Sequence, residues 1–214
     1  MREIIVGVVH DFDGVLLDSI FCTYKAYRPL FEWKKINITY DQYRKLIGGD
    51  YNNFLRLIGV GESELVSAAD IWNKEYRKYA SEIGLYTGAR EYLRRLKDSG
   101  RKIAIATGGN QRRVNIEIDR FGIRRFIDAI VTFQDVEKHK PSGDPILAAL
   151  KKLDCKADES VYIGDAKDDI LAARNAGVKS IFMTGGLAEI EDLDVKPDAI
   201  AESFSELYER IDSF

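Results

Sequence analysis

Short apolar runs alternate with amphipathic stretches along most of the chain. The apolar runs are rich in β-branched residues and occupy residues 4–9, 103–106, 129–133, 161–163, 180–183 and 198–201. Runs of this length and composition predict buried strands of a parallel sheet. The stretches between them are long enough to return the chain to the start of the next strand.

Helical periodicity fills the gaps between these runs. Residues 89–99, 112–121 and 146–153 place their apolar side chains on one side and charged side chains elsewhere. Gly100 and Gly122 each follow such a stretch, where a helix C-cap is expected. Strand and helix in alternation predict an α/β fold with a doubly wound parallel sheet.

Residues 17–86, here called the insert, break this alternation. They show helical patterns and almost no strand pattern, so the chain divides into an α/β core domain (residues 1–16 and 87–214) and a small inserted helical domain. Many of the aromatic residues lie in the insert: Tyr24, Tyr27, Tyr40, Tyr43, Tyr51, Tyr76, Tyr79, Trp33 and Trp72. We expect most of them to pack a helical core, with one or two facing a ligand.

Composition narrows the class of protein. The 214 residues are 45% hydrophobic and 31% charged, with a formal net charge of -3, which is ordinary for a folded soluble protein. No basic stripe suits nucleic acid, and no apolar segment is long enough to span a membrane. Cys22 and Cys155 lie far apart and lack the spacing of a metal site, which favours a reducing compartment, the cytoplasm.

Polar residues follow the predicted strands at their carboxyl ends, where open α/β sheets bind ligands. They are Asp11 and Asp13, the run Thr107-Gly108-Gly109, the pair Lys140-Pro141, and the run Gly164-Asp165-Ala166-Lys167-Asp168-Asp169. Each alone is explained as a helix cap, a turn or a solvated charge. Together, carboxylates, a lysine and a hydroxyl at one sheet edge indicate a site completed by a divalent cation and an anion.

These motifs resemble those of the haloacid dehalogenase (HAD) superfamily, in its phosphatase branch with a helical cap, which includes phosphoglycolate phosphatase and β-phosphoglucomutase. The resemblance rests on DFDGVLLDS (11–19), the threonine that ends IAIAT, the KP pair, and GDAKDDILAARNAGV (164–178). It implies a Rossmann-like core with a cap, and a Mg²⁺-dependent phosphoric monoester hydrolase. The substrate it implies is a small phosphorylated metabolite such as phosphoglycolate or a sugar phosphate, turned over by a monomer or homodimer.

The resemblance also implies roles for the acidic residues. Asp11 corresponds to the nucleophile that forms an aspartyl-phosphate, and Asp13 to the general acid and base, a role that works best with a raised pKa. Magnesium would be held by Asp11, the backbone carbonyl of Asp13, and Asp165. Asp169 resembles the second acidic position of the motif, which often acts behind the metal ligands.

Further roles follow for the basic, hydroxyl and glycine positions. Lys140 would offset charge on the reacting oxygens, while Thr107, Gly108 and Gly109 would bind the phosphate. The run 46–51 resembles the cap loop that reaches the active site, so we expect Gly48, Gly49 and Tyr51 to select the substrate. Hinges are expected near residues 15–17 and 85–88.

The two histidines receive no catalytic role. Strand alternation points His10 away from Asp11, which predicts a packed or hydrogen-bonded side chain. His139 lies next to Lys140 and stays unassigned.

Three other functions are compatible with part of this pattern. Sugar phosphomutases of the family carry a cap histidine and arginine where this chain has Thr23 and Tyr51. Haloacid dehalogenases lack a carboxylate at the position of Asp13. Phospho-accepting receiver domains gather similar residues, but in a different order along the chain and without an insert.

Overall fold

The protein folds around one parallel sheet. The computed structural model describes residues 5–47 and 51–214. The strands are β1 (Gly7–His10), β2 (Leu17–Asp18), β3 (Gly84–Leu85), β4 (Lys102–Ala106), β5 (Ala129–Val131), β6 (Ser160–Gly164), β7 (Lys179–Met183) and β8 (Ala199–Ala201). Six of them form the main sheet in the order β5-β4-β1-β6-β7-β8, with every neighbouring pair parallel. The doubly wound α/β fold expected from the sequence is confirmed.

Helices surround this sheet and build the insert. They are α1 (Ile20–Trp33), α2 (Tyr40–Leu46), α3 (Tyr51–Leu57), α4 (Leu65–Tyr79), α5 (Ala89–Asp98), α6 (Gln111–Arg120), α7 (Asp144–Leu153), α8 (Lys167–Ala176) and α9 (Phe204–Ser213). Among the described helices, none has the length and apolar character that crossing a bilayer requires.

Strand β1 lies at the centre of the sheet. Its successive side chains point to opposite faces, each of which has its own apolar cluster. Val8, paired with Ile103 and Val161, faces an apolar cluster that includes side chains of α5, α6 and α9. Val9 faces the opposite cluster, which is built with α7 and α8. Both faces are therefore covered, which explains why the strands read as continuous apolar runs.

The insert forms a helical layer whose aromatic core continues into the first of these clusters. Tyr27, Tyr43, Trp72 and Tyr76 are buried there, as expected, and Tyr27 packs edge-on against Phe54 with ring centroids 4.8 Å apart. The expectation is wrong for Trp33, which is 40% exposed. Strands β2 and β3 pair antiparallel where the chain leaves the core and returns to it. This ribbon is absent from the sequence-based prediction.

Candidate active site

Asp11 stands directly beyond β1, at the carboxyl edge of the sheet. Its N–H donates to the carbonyl of Ile163 on β6 at 2.8 Å, which fixes the backbone. Its Oδ1 accepts from the N–H of Phe12 at 2.7 Å, and its Oδ2 lies 2.9 Å from Lys140 Nζ. Burial raises the pKa of Asp11 to about 6, despite the nearby lysine.

Lys140 bridges two carboxylates. Its Nζ lies 2.7 Å from Asp169 Oδ1 and 3.3 Å from the hydroxyl of Tyr162, in addition to its contact with Asp11. Although burial would lower the pKa of Lys140, Asp11 and Asp169 raise it well above its usual value. Lys140 is therefore a fixed positive charge against the oxygens of Asp11.

Asp169 is held on both oxygens. Oδ1 accepts from Lys140 and from Tyr162, and Oδ2 accepts from the N–H groups of Asp165 and Ala166, each at 3.1 Å. This arrangement leaves Asp169 as a support for its neighbours, because its lone pairs are already engaged.

Asp165 faces Asp11 across the ends of β1 and β6. Oxygens of Asp11, Asp165 and Asp169 lie within 4.8 Å of one another. Burial and the two neighbouring carboxylates raise the pKa of Asp165 well above its usual value. Its Oδ2 accepts from the N–H of Leu187 at 2.6 Å. Such a buried group of hard oxygen donors fits a divalent cation such as Mg²⁺, which these carboxylates could hold.

Asp13 is paired with an arginine that the sequence analysis did not identify. The two guanidinium nitrogens Nη1 and Nη2 of Arg113 reach its two oxygens, Nη1 at 2.8 Å, and the hydroxyl of Ser19 donates to it as well. Burial favours a raised pKa, but Arg113 outweighs it and holds the pKa of Asp13 below its usual value. The raised pKa that suits a general acid is therefore not found in this arrangement.

Arg113 is buried at the junction between α6 and the insert. Its Nη1 lies 3.4 Å from the hydroxyl of Tyr76 on α4. Gly109 gives it room, since a Cβ there would lie 2.3 Å from Arg113 Nη2. Arg113 lies 100 residues from Asp13, and an arginine on an amphipathic helix reads as a surface residue, so only the lack of a side chain at Gly109 hints at its burial.

The predicted phosphate-binding run begins with Thr107, whose N–H donates to the carbonyl of Val131 on β5. The N–H of Gly109 donates to Thr107 Oγ1 at 3.1 Å, so this donor is already used. Within residues 5–47 and 51–214, no protein acceptor receives the N–H of Gly108, which leaves it available to an anion. The glycines precede helix α6 instead of opening it, because Asn110 is the N-cap and accepts from the N–H of Arg113.

A cavity of about 610 Å³ lies over these residues, between the sheet edge and the insert. Its walls include the active-site carboxylates, Thr107, Gly108, Gly109 and Lys140 from the core, and Tyr27, Tyr43 and Trp72 from the insert. Ile47 and Asn52 also line it, which puts both flanks of the predicted specificity loop at the cavity. Gly48 and Gly49, and the side chain of Tyr51, lie outside the described part of the chain.

His10 is packed and hydrogen-bonded, as the sequence predicts. His10 is fully buried and its Nε2 lies 2.8 Å from the hydroxyl of Tyr92, on the far side of the strand from the cavity. Burial lowers the pKa of His10 to about 4. His139 packs against the ring of Phe133.

The sequence profile described as "Haloacid dehalogenase-like hydrolase" matches residues 8–183, which include all the strands and motifs that build this site. The chain belongs to the haloacid dehalogenase-like hydrolases. The curated relatives of this HAD-like hydrolase include proteins named as a pyrophosphatase and as a phosphoglycolate phosphatase.

Two relatives and one solved structure show the extent of the likeness. The pyrophosphatase PpaX of Bacillus cereus (strain B4264) is 32% identical over 94% of this chain and 93% of its own length. The phosphoglycolate phosphatase of Agrobacterium fabrum is 27% identical over 93% of this chain and 89% of its own. A hydrolase from Pseudomonas syringae superposes with a TM-score of 0.88, at 25% identity, over 98% of this chain and 99% of its own.

Proposed function

We propose that this HAD-like hydrolase is a Mg²⁺-dependent phosphatase of small molecules that works through an aspartyl-phosphate on Asp11. The observation that carries the proposal is the joint placement of Asp11, Lys140 and the Asp165–Asp169 pair at one sheet edge. A buried carboxylate with a fixed ammonium on one oxygen, facing further carboxylates across a cation-sized gap, suits attack on a phosphorus atom.

In the first step an Asp11 oxygen forms a bond to phosphorus, and the bond from phosphorus to the leaving oxygen breaks. Asp13 gives that oxygen its proton. Water then attacks the phosphorus, Asp13 takes the proton from the water, and inorganic phosphate leaves with Asp11 restored. Arg113 holds Asp13 as a carboxylate here, which is the protonation state that the second step needs. Because Arg113 engages both Asp13 oxygens, each proton transfer requires that ion pair to loosen.

The other residues handle charge and position. The ammonium group of Lys140 neutralises the charge of one Asp11 oxygen while negative charge moves onto the phosphoryl group. Thr107 and the free N–H of Gly108 face the cavity, where they can donate to a phosphoryl oxygen. Asp11, Asp165 and the backbone carbonyl of Asp13 would hold Mg²⁺ in this proposal, and the bound ion would supply positive charge beside the phosphoryl oxygens.

The substrate is a small phosphorylated metabolite in this proposal. Phosphoglycolate is supported by the name of one relative, and pyrophosphate, which the sequence analysis did not consider, by the names of several others. A cytoplasmic location belongs to the same proposal and is supported by free thiols at Cys22 and Cys155.

The test is phosphate release from a panel of small phosphate esters and pyrophosphate, with Mg²⁺ and with chelator. Asp11→Asn removes the nucleophile, so we expect turnover to fall more than about a thousandfold. Asp98→Asn is the matched control, because Asp98 is an exposed partner of Arg94 remote from the cavity. Equal turnover by Asp11→Asn, or full activity in chelator, would contradict the proposal.

A further inference from the structure

Glu117 is a buried carboxylate that has no part in the steps above. It lies on α6, one turn after Arg113, and is 2% exposed. Its Oε1 accepts a hydrogen bond from the hydroxyl of Tyr76 at 3.3 Å. Its Oε2 lies 3.3 Å from Nη1 of Arg120 but receives no hydrogen bond from any described residue. This oxygen has lost contact with water without gaining an aligned donor, which is an unfavourable state for a carboxylate.

Arg113 is the neighbour of Glu117 on the same face of α6, because residues four positions apart in a helix lie one above the other. The hydroxyl of Tyr76 lies 3.4 Å from Arg113 Nη1 and 3.3 Å from Glu117 Oε1, so a single hydroxyl group separates the guanidinium from the carboxylate. Burial raises the pKa of Glu117, and the positive charges of Arg120 and Arg113 act against that rise. Glu117 is therefore a second carboxylate within reach of Arg113, in addition to Asp13.

Asp13 needs to be released by Arg113 before it transfers a proton. Both of its oxygens accept from the guanidinium, and the hydroxyl of Ser19 donates to one of them as well. Proton transfer needs one oxygen of Asp13 to be free for the substrate or the water. Arginine keeps its charge, and a buried charge that has lost its partner is strongly unfavourable. A second anionic partner for Arg113 therefore favours the release of Asp13.

The Glu117 carboxylate is also connected to the insert. Tyr76, which donates to its Oε1, lies on α4 of the insert. Arg120, which lies beside its Oε2, donates to the carbonyl groups of Ala80 and Ile83, where the insert returns to the core. A shift of the insert relative to α6 changes both contacts. The partner that Glu117 takes therefore depends on the position of the insert.

We propose that Glu117 is a positioning residue for the reaction: it accepts Arg113 while Asp13 transfers a proton, and Arg113 returns to Asp13 afterwards. Glu117 is not among the described residues that line the cavity, so it acts on Asp13 only through Arg113. The proposal rests on the proposed function, because it gives a condition for both proton transfers of that reaction. Glu117 should then affect the rate of turnover more than the binding of substrate.

The experiment is a double-mutant cycle on steady-state kinetics, with Mg²⁺ and the phosphate compound that the wild type hydrolyses fastest. Glu117→Gln keeps the shape of the side chain but removes its charge, so Arg113 stays on Asp13. We expect kcat to fall about tenfold while KM changes less than about twofold. In the Arg113→Gln background, where Asp13 is already released, the same substitution should leave kcat unchanged.

Asp119→Asn is the control, because Asp119 is an exposed residue of α6 that pairs with Arg124. Its kcat should equal that of the wild type. An equal loss from Glu117→Gln in both backgrounds would show that Glu117 acts independently of Arg113. No loss in either background would show that Arg113 takes another anion, such as the substrate phosphate. Each of these two results overturns the proposal.

Thermal unfolding tests the same contact without catalysis, and so separates this proposal from a failure of the proposed function, in which the wild type hydrolyses no compound of the panel. Asp13→Asn removes the first partner of Arg113, which leaves Glu117 as the carboxylate beside it. We expect Glu117→Gln to lower the Tm by about 3 °C more in the Asp13→Asn protein than in the wild type. Equal shifts in the two proteins overturn the proposal, whether or not hydrolysis is observed.

Discussion

At the scale of single residues, the acidic cluster depends on two glycines, because a side chain at either position would collide with Asp165. A Cβ at Gly14 would lie 1.9 Å from Asp165 Oδ2, and a Cβ at Gly186 would lie 2.3 Å from the same oxygen. Gly14 also has φ of 81°, a conformation that other residues adopt only with strain. Both glycines allow Asp165 to approach Asp11 closely.

Gly14→Ala should therefore displace Asp165 and weaken Mg²⁺ binding. We expect a loss of about 10–100-fold in affinity, as is usual when the support of a metal ligand is disturbed. Calorimetric titration with MgCl₂ measures it. Gly84→Ala is the control, since a Cβ at Gly84 would meet no atom within 4 Å. Equal affinities of the two variants would show that Asp165 does not bind the cation.

His10 should make stability depend on pH. Its pKa is lowered from 6.5 to about 4, so its contribution to the free energy of unfolding is full above pH 6.5 and is lost as the pH falls toward 4. From pH 7.5 to pH 5, wild type should lose about 2 kcal/mol relative to His10→Gln, which lacks this proton. Urea unfolding of both proteins across this range measures the difference, and parallel pH profiles would refute the assignment.

The convergence of Asp11, Thr107 and Asp165 could be predicted from the sequence because parallel strands all end at the same edge. The resemblance of their motifs to those of the HAD superfamily also predicted a role for each residue. Arg113 could not be predicted, since its burial depends on an ion pair with a residue 100 positions away. The lowered pKa of Asp13 follows from that same contact, so it could not be predicted from the sequence either.

At the scale of secondary-structure elements, apolar periodicity located the strands of the main sheet to within a few residues. The β2–β3 ribbon was missed because strands of two residues carry no periodic signal. The start of α6 was also misplaced, since the glycines after Thr107 resemble a helix-opening phosphate loop, whereas the Asn110 cap sets the first turn later.

The insert is attached to the core by a contact between α2 and the loop after β7. Arg44 on α2 donates from Nε to the carbonyl of Leu187 at 2.8 Å and from Nη2 to the carbonyl of Gly186 at 3.1 Å. It also pairs with Glu189. The Arg44 guanidinium thus ties α2 to the loop that also contacts Asp165.

Arg44→Gln should release α2 from that loop. We expect hydrogen exchange of the amides in α2 and in residues 185–188 to become about tenfold faster, because their local opening loses these contacts. Mass spectrometry of exchanged peptides measures it. Lys45→Gln is the control, since its exposed pair with Asp192 contributes little. Equal exchange in the two variants would contradict an anchoring role for Arg44.

At the scale of the whole molecule, the acidic cluster opposes folding when no cation is bound. The pKa of Asp11 is raised from 3.8 to about 6, so its stabilising contribution is present below pH 3.8 and lost as the pH rises through 6. Burial and the neighbouring carboxylates also raise the pKa of Asp165 well above its usual value, so its contribution to stability changes with pH in the same direction. At neutral pH, Mg²⁺ should remove this cost.

Thermal unfolding at pH 7.5 tests this expectation. Mg²⁺ at about a hundred times its Kd should stabilise the wild type by about 2.7 kcal/mol. Asp165→Asn should unfold at a higher temperature than wild type in chelator, and gain little from Mg²⁺. A wild-type Tm that is the same in chelator and in Mg²⁺ would be the contrary result.

The loop after β7 serves two structures at once. The N–H of Leu187 donates to Asp165, while the carbonyl groups of Gly186 and Leu187 accept from Arg44 of the insert. Cation affinity and attachment of the insert are then thermodynamically linked, and linkage is reciprocal. Whatever factor a bound cation adds to the equilibrium between loose and attached insert, attachment adds to cation affinity.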